Sequence, residues 1–428
     1  MCDSLLARGE QTADGATLFA TNSDRQGNEV QPFVQFPAAF HPRGTQLACT
    51  HIEIDQVAET YRVMGHSPAW CWGFEQGVNE YGVAIGNHAT WSRDGLESEP
   101  GLIGMDLVRL GLERGRDARE ALEVIAALIE THGQGGSAFA PVGDEGYQNS
   151  FAIADGTSAW VLETSARGWA ARSVTSASLT NALTLGGDWQ IGSRNLERHA
   201  VSEGYCERSE RLNFKAAYSI PDWPEFLTDR RRESAKECLA EAPLDLARLK
   251  TWLRSHGREV LPPSTGREFT DPDRYSVCMH ADATSMTTAS LIVRLPEERA
   301  ARPWPVWISF ATPCTGVFIP VYLDGILPDS LARAKLEDGV SVWIEMRRLQ
   351  AKSSLDFGRH LSLVQEGWRD FERVTELERE RVEEEVAALY AQSEAEAGAT
   401  LLTDFMSETT QRLLDTAKTL CQKIEAAA

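Results

Sequence analysis

Short apolar runs separated by turn residues occupy the start of the chain and predict β-strands. Residues 2–7 form the first run, and residues 17–20 form the second, after the turn residues Ala13-Asp14-Gly15. Two such runs joined by a glycine turn predict a β-hairpin. Further alternating segments predict strands at 52–54, 61–64 and 82–86. The early chain is therefore expected to be rich in strands.

The next segment has the spacing of an amphipathic helix. Its apolar positions recur every three or four residues. They are Leu107, Leu110, Ala118, Leu122, Ile125, Ala126 and Ile129. Gly115 interrupts this pattern, and the glycines at 133, 135 and 136 end it. The segment predicts two consecutive helices that pack on a sheet.

Strand patterns return after these helices. Runs at 150–154 and 159–163 are joined by Asp155-Gly156, which is a strong hairpin turn. Later runs predict strands at 169–174, 289–295, 306–310 and 317–322. Blocks of strands around a helical block predict sheets layered with helices.

From about Ser330 the sequence becomes charged and helix-forming, with few glycines or prolines. An apolar stripe of helical spacing follows. Its members are Leu361, Val364, Trp368, Phe371, Val374, Leu377, Val382, Val386 and Leu389. After a predicted break at Gly398, a second helix is expected from about Leu401 to Ile424. We therefore predict a main domain at 2–330 and a helical extension at 331–428, either packed on that domain or forming an oligomer contact.

Composition places the chain among globular proteins of ordinary type. Of its 428 residues, 42% are hydrophobic and 25% are charged, and no run of 18 apolar residues could span a bilayer. The first ten residues lack the cationic start and apolar stretch of a secretory signal, so we expect a cytoplasmic protein. The net charge of −21 argues against nucleic acid or an anionic membrane as a partner.

The eight cysteines are scattered, without a C-x-x-C pair or another spacing typical of metal ligands. Reduced and mostly buried thiols are the expected state. No metal site is predicted from this spacing.

Cys2 is the cysteine whose position in the chain indicates a catalytic role. Removal of Met1 would place a thiol and a free α-amine on one residue. A cysteine thiol has an ordinary pKa near 8.5, whereas an α-amine titrates at roughly 7.7 to 8.0 and is partly a free base at neutral pH. An N-terminal cysteine therefore carries its own general base. In the predicted hairpin, Asp24 and Arg25 would lie close to it.

Several ordered segments resemble one family. Met1-Cys2-Asp3-Ser4, together with 19–25 and 28–31, resembles the start of the secernins and related cysteine dipeptidases. Similar segments follow at 51–57, 67–73, 77–87, 104–114, 149–151, 160–164 and 287–290. The resemblance extends from residue 2 to about 325, and the helical tail matches no motif.

The resemblance implies an α+β protein with the four-layer αββα fold of N-terminal-nucleophile hydrolases. It also implies hydrolysis of amide bonds by the N-terminal cysteine, commonly in dipeptides or other small amides. Because the eukaryotic secernins are named for a role in secretion, a regulatory protein with little turnover is an alternative. An amidase acting on N-acyl amines is another.

Site residues are carried over from the same resemblance. Cys2 matches the nucleophile, and Asp24 matches the acidic residue that orients it. Asn87 and Asn181 match two asparagines that hold the oxyanion in choloylglycine hydrolases, where each donor contributes roughly 3 kcal/mol to transition-state stabilisation. Neither a metal nor an organic cofactor is required by this mechanism.

One position departs from the choloylglycine hydrolases. They carry an arginine where this chain has Thr21, and Arg25 is the obvious substitute. A further arginine beside the thiol could be Arg211 or Arg274. Arg25 could instead hold Asp24 or bind a substrate carboxylate through a bidentate ion pair.

Arg25, Arg274 and His280 are the predicted substrate-binding residues. His280 and Cys278 are two residues apart, so on a strand they would face the same side. We do not predict Cys278 as a second nucleophile. The expected partner is a small peptide or amide substrate, and the helical tail could join two copies of the chain.

Overall fold

The computed structural model describes residues 1–97, 99–139, 145–208, 211–257, 268, 270–281, 285–297 and 302–427. The strands in chain order are β1 (Cys2–Gly9), β2 (Gly15–Arg25), β3 (Phe33–Phe36), β4 (Ala39–Phe40), β5 (Gln46–Ala48), β6 (Glu53–Asp55), β7 (Glu59–Thr60), β8 (Val63–His66), β9 (Gln76–Asn79), β10 (Ala84–Thr90), β11 (Gln148–Ala154), β12 (Ala159–Ser165), β13 (Gly168–Ser173), β14 (Ser176–Leu179), β15 (Ile191–Gly192), β16 (His280–Ala281), β17 (Ser285–Leu295), β18 (Val306–Phe310) and β19 (Ile319–Val321).

The α-helices are α1 (Gly104–Arg114), α2 (Ala118–His132), α3 (Leu196–Ser202), α4 (Phe214–Tyr218), α5 (Asp229–Ala240), α6 (Leu246–Leu253), α7 (Asp329–Ala332), α8 (Val342–Ser353), α9 (Phe357–Ala391) and α10 (Ala395–Ala427). Short 3-10 turns are formed at Glu225–Leu227, Pro272–Arg274 and Leu336–Asp338.

Two antiparallel sheets form the centre of the molecule. The first sheet has the strand order β14-β1-β2-β17-β18-β19, with β16 added on β17. The second sheet has the order β15-β13-β12-β11-β10-β9-β8-β3. The predicted hairpins β1–β2 and β11–β12 are both confirmed.

Alternation along β1 and β2 gives each face of the first sheet its own core. Leu6 and Phe19 point toward the second sheet and share a cluster with Ala152 and Val161 of that sheet. Their neighbours point away from it. Leu5, Leu18 and Ala20 pack on α5 and α6 through Ala235, Leu249, Trp252 and Leu253.

The outer face of the second sheet is covered by α1 and α2. Ile85, Phe151 and Leu162 pack there against the apolar faces of these helices. The two helices are separated at Gly115, as predicted, and the Asp117 side chain caps α2 by accepting from the Glu120 amide. The order helix, sheet, sheet, helix confirms the four-layer αββα fold.

The C-terminal helices α8, α9 and α10 lie against the β18–β19 side of the first sheet. Buried apolar residues of all three helices share the central core with the sheets. The indole of Trp343 donates a hydrogen bond to the Thr288 carbonyl at 3.0 Å, and that of Trp368 donates to the Thr315 carbonyl at 3.0 Å. The domain division at residue 330 and the oligomer contact stay predictions.

Two details of the predicted tail are wrong. The chain reverses at residues 392–394, where Ser393 has a φ of 65°, and Gly398 lies inside α10 instead of at the break. Leu377, which was assigned to the apolar stripe, is 59% exposed. Among the described residues, no helix is both long enough and apolar enough to cross a bilayer.

Candidate active site

Cys2 is the first residue of β1 and is 5% exposed. It pairs with Ser23 of β2. Because side chains alternate along a strand, Cys2 shares a face with Ser4 and Leu6, which point toward the second sheet. The hydroxyl of Ser4 contacts Nε2 of His88 in β10 at 2.8 Å, which fixes that direction. The Cys2 thiol therefore belongs to the space between the sheets.

Arg231 lies beside the Cys2 backbone, on the face of the first sheet that is opposite to the Cys2 thiol. It extends from α5 and is fully buried. Its Nη1 donates to the Cys2 carbonyl at 3.2 Å and to Asp3 Oδ2 at 3.1 Å, and its Nη2 donates to Asn181 Oδ1 at 3.0 Å and to the Leu227 carbonyl at 2.8 Å. One guanidinium thus connects the backbone of Cys2, the side chain of Asp3 and the side chain of Asn181.

The sequence interpretation missed Arg231. It offered Arg211 or Arg274 as the arginine beside the thiol, whereas Arg211 is exposed and donates to the Trp189 carbonyl. Arg231 stands in the run Arg230-Arg231-Arg232, and helical geometry turns only one of these three toward the sheet. Asp229 followed by three arginines is typical of the solvent-exposed start of a helix. The sequence therefore contains no signal that distinguishes Arg231 from its two neighbours.

Asn181 holds the backbone nitrogen of Cys2. It follows β14, the strand that pairs with β1, and its Oδ1 accepts from the Cys2 amide at 3.0 Å. Its Nδ2 donates to the Ala89 carbonyl at 2.9 Å. Removal of Met1 would convert this amide nitrogen into the α-amine, so Asn181 is placed to orient the proposed base. The predicted oxyanion role of Asn181 stays a prediction.

Met1 occupies a defined position next to Asp24. The Met1 ammonium donates to the Asp24 carbonyl at 2.7 Å, and the Asp24 amide donates to the Met1 carbonyl at 2.7 Å. The Met1 side chain packs against Tyr275, Met279 and Ala281. An aminoacyl group attached at Cys2 is therefore held through its amine, its carbonyl and its side chain.

Asp24 is buried, and its two carboxylate oxygens differ. Oδ1 accepts from Thr287 Oγ1 at 2.7 Å, while Oδ2 has no hydrogen-bond partner within the part of the chain that the structure describes. The pKa of Asp24 is raised to about 7, mainly by burial; the charge of Asp3 contributes to the rise, whereas the Met1 ammonium and Arg231 oppose it. Asp24 can therefore change its protonation state near neutral pH.

We expect Asp24→Asn to stabilise the chain at pH 8 and to matter less at pH 5. The unfolded carboxyl titrates near 3.8 and the folded one at about 7, so the folded state binds more protons between these values. Stability from Asp24 is complete below the unfolded pKa and is lost as the pH rises through the folded pKa. Urea unfolding of wild type and variant at both pH values measures this.

Asp14→Asn is the control for that comparison. A hydrogen bond from Arg294 holds the pKa of Asp14 below its ordinary value, although partial burial alone would raise it. Asp14 is consequently ionised in both states across the same pH range, and its variant should show no such pH trend. An Asp24→Asn effect that is equal at the two pH values would contradict the assigned pKa.

Arg25 faces the space between the sheets and is buried, which excludes a plain surface arginine. Its guanidinium pairs with Glu29 at 2.7 Å and with Glu75 at 3.2 Å, and it donates to Tyr147 Oη at 3.1 Å and to the Ala138 carbonyl at 2.6 Å. Two carboxylates already pair with this guanidinium. Its predicted role in binding a substrate carboxylate stays a prediction and would require competition with these partners.

Asn87 is buried in β10, between Glu75 and Asn149. With its Nδ2 turned toward Glu75, it donates to Glu75 Oε2 at 2.7 Å and to the Glu75 carbonyl at 3.1 Å. A Cβ at Gly104, the first residue of α1, would collide with the amides of Asn87 and Asn149, so the glycine permits this close packing. The oxyanion role of Asn87 stays a prediction.

The thiol of Cys2 is not activated while Met1 is attached. The pKa of the Cys2 thiol is raised to about 12, mainly by burial; the Met1 ammonium opposes this rise, and the charges of Glu75 and Asp24 contribute to it. The surroundings thus disfavour a resting thiolate. A base that takes the thiol proton during the attack is consequently needed, and the α-amine exposed by removal of Met1 is attached to the same residue.

The remaining predicted substrate-binding residues lie elsewhere. Arg274 ends the 3-10 turn Pro272–Arg274 and is half-buried. His280 begins β16, and its Nε2 is 3.5 Å from Cys278 Sγ, so the two side chains do face the same side. Cys314 Sγ also lies 3.3 Å from that nitrogen. Roles of Arg274 and His280 in substrate binding stay predictions.

The chain is similar in shape to several solved hydrolases at low identity. The C2A mutant of conjugated bile acid hydrolase from Clostridium perfringens is 12% identical, with a TM-score of 0.41, over 72% of this chain and 89% of that one. Penicillin V acylase from Agrobacterium tumefaciens is 13% identical, with a TM-score of 0.42, over 75% and 86%. The Caenorhabditis elegans orthologue of N-acylethanolamine-hydrolyzing acid amidase is 13% identical, with a TM-score of 0.34, over 69% and 94%.

A family match covers the part of the chain that contains Cys2, Asp24, Asn87 and Asn181. The model of peptidase family C69 matches residues 1–196. That span begins with the buried Cys2 of β1 and includes the β1–β2 hairpin and both helices of one outer layer. Residues 1–196, somewhat less than half of the chain, are therefore similar to peptidase family C69.

Proposed function

We propose that this protein is a dipeptidase in which Cys2, exposed by removal of Met1, is the nucleophile and its α-amine is the base. The observation that carries the choice of substrate is the position of Met1. Its aminoacyl group is bonded to the nitrogen of Cys2, and the sulfur that would carry the substrate's acyl group belongs to the same residue. Met1 therefore stands in for the N-terminal residue of a dipeptide in the acyl-enzyme.

The surroundings of the Met1 amine favour a substrate with a free ammonium group. The amine donates to the Asp24 carbonyl at 2.7 Å, and its charge interacts with the carboxyl groups of Asp24, Asp3 and Glu75. Opposite charges at short range in a buried site attract strongly. An N-acyl substrate lacks the ammonium and would bring an extra group toward these carboxyls, so this observation favours a dipeptide.

The second residue of the dipeptide has a place beside Asn181. A cavity of about 240 Å³ opens there and is lined by the aromatic side chains of Trp91 and Trp223 and by Lys215 and Arg232. Asp222 and Glu225 also line it. We assign this cavity to the leaving amino acid. Its carboxylate would pair with the cationic side chains of Lys215 and Arg232.

The reaction then follows from the residues at Cys2. The α-amine takes the thiol proton as sulfur attacks the carbonyl carbon, and the C–S bond forms. The amine returns that proton to the leaving nitrogen as the C–N bond breaks. Water adds to the thioester and releases the first amino acid. Asn181 holds the α-amine, and Arg231 holds the Cys2 carbonyl, so the nucleophile's backbone stays fixed throughout.

Acetylation of the substrate amine tests the choice of substrate. With the processed chain, we expect kcat/KM for Met-Gly to exceed that for N-acetyl-Met-Gly roughly 10- to 100-fold, because a hydrogen bond to a charged group contributes about 1.5 to 3 kcal/mol. Activity of Cys2→Ala on each substrate gives the background to subtract.

The other outcomes identify the alternatives. Faster hydrolysis of the acetylated substrate would favour the amidase of N-acyl amines. No turnover of either substrate, by a chain whose mass shows that Met1 is absent, would favour the regulatory protein with little turnover. The cytoplasm remains the proposed compartment. The free thiol state of all eight cysteines fits a reducing environment of this kind.

A further inference from the structure

Two cysteines and two histidines lie close together at β16 of the first sheet. None of them takes part in the reaction proposed at Cys2. They are His256, Cys278, His280 and Cys314, and their ligand atoms all lie within 4.8 Å of one another. All four residues are buried. Three separate segments supply them: His256 follows α6, Cys278 precedes β16 and His280 begins it, and Cys314 follows β18.

We propose that these four side chains bind one zinc ion in a tetrahedral site. Zinc–sulfur bonds of about 2.3 Å and zinc–nitrogen bonds of about 2.0 to 2.1 Å place a sulfur and a nitrogen ligand roughly 3.6 Å apart at the tetrahedral angle. The two sulfur–nitrogen distances to His280 Nε2 are 3.5 Å from Cys278 and 3.3 Å from Cys314. The side chains are thus already spaced as ligands around a shared centre.

Hydrogen bonding alone explains this arrangement less well. The sulfurs of Cys278 and Cys314 converge on the same ring nitrogen of His280. A ring nitrogen of neutral imidazole has either one proton or one lone pair in the ring plane, so it makes one good hydrogen bond. The ring of His256 also approaches that of His280, with 5.2 Å between centroids. A metal ion at the centre would satisfy all four groups at once.

The donor set selects zinc and a closed site. Two thiolates and two imidazoles in tetrahedral arrangement are typical of structural zinc, whereas calcium and magnesium prefer oxygen ligands. Four protein ligands leave no open position for substrate or water, so a zinc-bound His280 would not have the substrate-binding role predicted from the sequence. The ion would therefore stabilise structure and would take no part in the attack by Cys2.

Backbone contacts support the ligand positions. The Cys278 amide donates to the Ser255 carbonyl at 2.9 Å, which ties the segment of Cys278 to the residue before His256. The carbonyl of Cys314 accepts from Gln365 of α9 at 3.4 Å. These bonds orient two of the ligand segments, as outer contacts of metal sites commonly do.

The site would also position Asp24. Met279 lies between the ligands Cys278 and His280, and its amide donates to Thr287 Oγ1 at 2.8 Å. Thr287 Oγ1 in turn donates to Asp24 Oδ1 at 2.7 Å. Met279 also belongs to the apolar cluster on which Met1 packs. Zinc would thus fix the segment on which both Asp24 and the Met1 pocket depend.

A cavity lies beside one member of the cluster, His256. A cavity of about 210 Å³ reaches His256 and Ser276, and the acidic side chains of Glu233, Glu237 and Asp273 line it. Arg230 also lines this cavity and pairs with Glu233 and Asp273, so the acidic lining is partly neutralised and does not by itself select a cation.

The first test measures metal in the wild-type chain. After expression with added zinc and purification under reducing conditions, mass spectrometry of the metal content should find about one zinc ion per chain. Cobalt exchanged into the site should give the visible bands of tetrahedral Co²⁺ and a near-ultraviolet thiolate-to-cobalt band. A reduced wild-type chain that contains no zinc and gives no such bands would overturn the proposal.

Variants locate the ion. Cys314→Ser and His256→Ala should each lose most of the zinc and the cobalt bands, whereas Cys238→Ser, a buried cysteine of α5, should retain both. Cys2→Ala should also retain the ion, which separates this site from the nucleophile. Zinc that persists at full content in Cys278→Ser/Cys314→Ser, or a Cys278–Cys314 disulfide found by peptide mass in the wild type, would contradict the assignment.

The proposal does not depend on the dipeptidase assignment. Zinc content and cobalt spectra are measured without substrate, so their failure leaves the reaction at Cys2 untouched. Conversely, a zinc-loaded chain that hydrolyses no dipeptide would overturn the proposed function alone.

Discussion

Cys2→Ala is expected to abolish hydrolysis, with a loss of kcat/KM of at least roughly 1,000-fold, because removal of a nucleophile leaves only binding and oxyanion contacts. The fold should survive. Cys2 is the first residue of β1, and its small side chain contributes little packing, so we expect the free energy of unfolding to change by only about 1 kcal/mol. Dipeptide hydrolysis and urea unfolding of the same preparation measure both quantities.

Cys238→Ala is the matched control for this variant. Cys238 is also a buried thiol, with a pKa raised by burial to about 11, and it packs on the helical face of the same sheet. Its replacement should leave kcat/KM unchanged within a factor of about three. Undiminished activity in Cys2→Ala would remove Cys2 from the mechanism.

A blocked N-terminus separates the thiol from the amine. A chain with an uncleavable extension before Met1 keeps Cys2 but keeps its nitrogen in an amide, which cannot accept a proton. We expect this chain to be as inactive as Cys2→Ala, with Met1 shown by intact mass to be present. Full activity of the extended chain would mean that another group is the base.

Arg231→Ala should cause the largest loss of stability among the variants considered. It removes one partner of the buried Asp3–Arg231 ion pair and leaves Asp3 charged or forced to take up a proton in the core. Breaking a buried pair from one side costs about 3 to 5 kcal/mol. Burial raises the pKa of Asp3, while Arg231 lowers it, so loss of the arginine should raise that pKa further. Urea unfolding gives the free energy.

Arg230→Ala provides the adjacent control. Arg230 is the preceding residue of the same helix, but it is partly exposed and pairs with Glu233 and Asp273 at the surface. Exposed pairs contribute about 0 to 1 kcal/mol, so little change is expected. Arg231→Lys should be intermediate, because lysine retains the charge but cannot reach Asp3, Asn181 and the Cys2 carbonyl at once. Equal losses from Arg230→Ala and Arg231→Ala would contradict the structural role of Arg231.

Local patterns predicted the elements that carry the site. The run from Cys2 to Ala7 and the turn at Asp14-Gly15 specify the β1–β2 hairpin, because strand alternation and glycine turns are properties of neighbouring residues. The hairpin register then brings Asp24 next to Met1. The break between α1 and α2 near Gly115 was also predictable, because it depends on residues that are neighbours in sequence. The break at Gly398 was wrong because a glycine packed against Tyr390 can continue a helix.

Contacts between distant segments were beyond this kind of reasoning. Arg231 and Cys2 are 229 residues apart, and only the packing of α5 on the first sheet selects it from three consecutive arginines. His256 and Cys314 likewise have no spacing that marks them as ligands, since their segments meet only after β17 and β18 pair. Arg25 was expected near Asp24, but alternation sends the two side chains to opposite faces of the sheet.

The sequence by itself determined the β1–β2 hairpin, the helix pair α1–α2, the four-layer order through its family resemblance, and the candidate nucleophile, because Cys2 is defined by its place in the chain. Only the tertiary structure decided which charges surround Cys2, which arginine holds its backbone, and that two cysteines and two histidines lie close together. The physical reason is range: periodicity and turns act between neighbours, whereas a buried charge or a metal site is defined by groups that folding brings together.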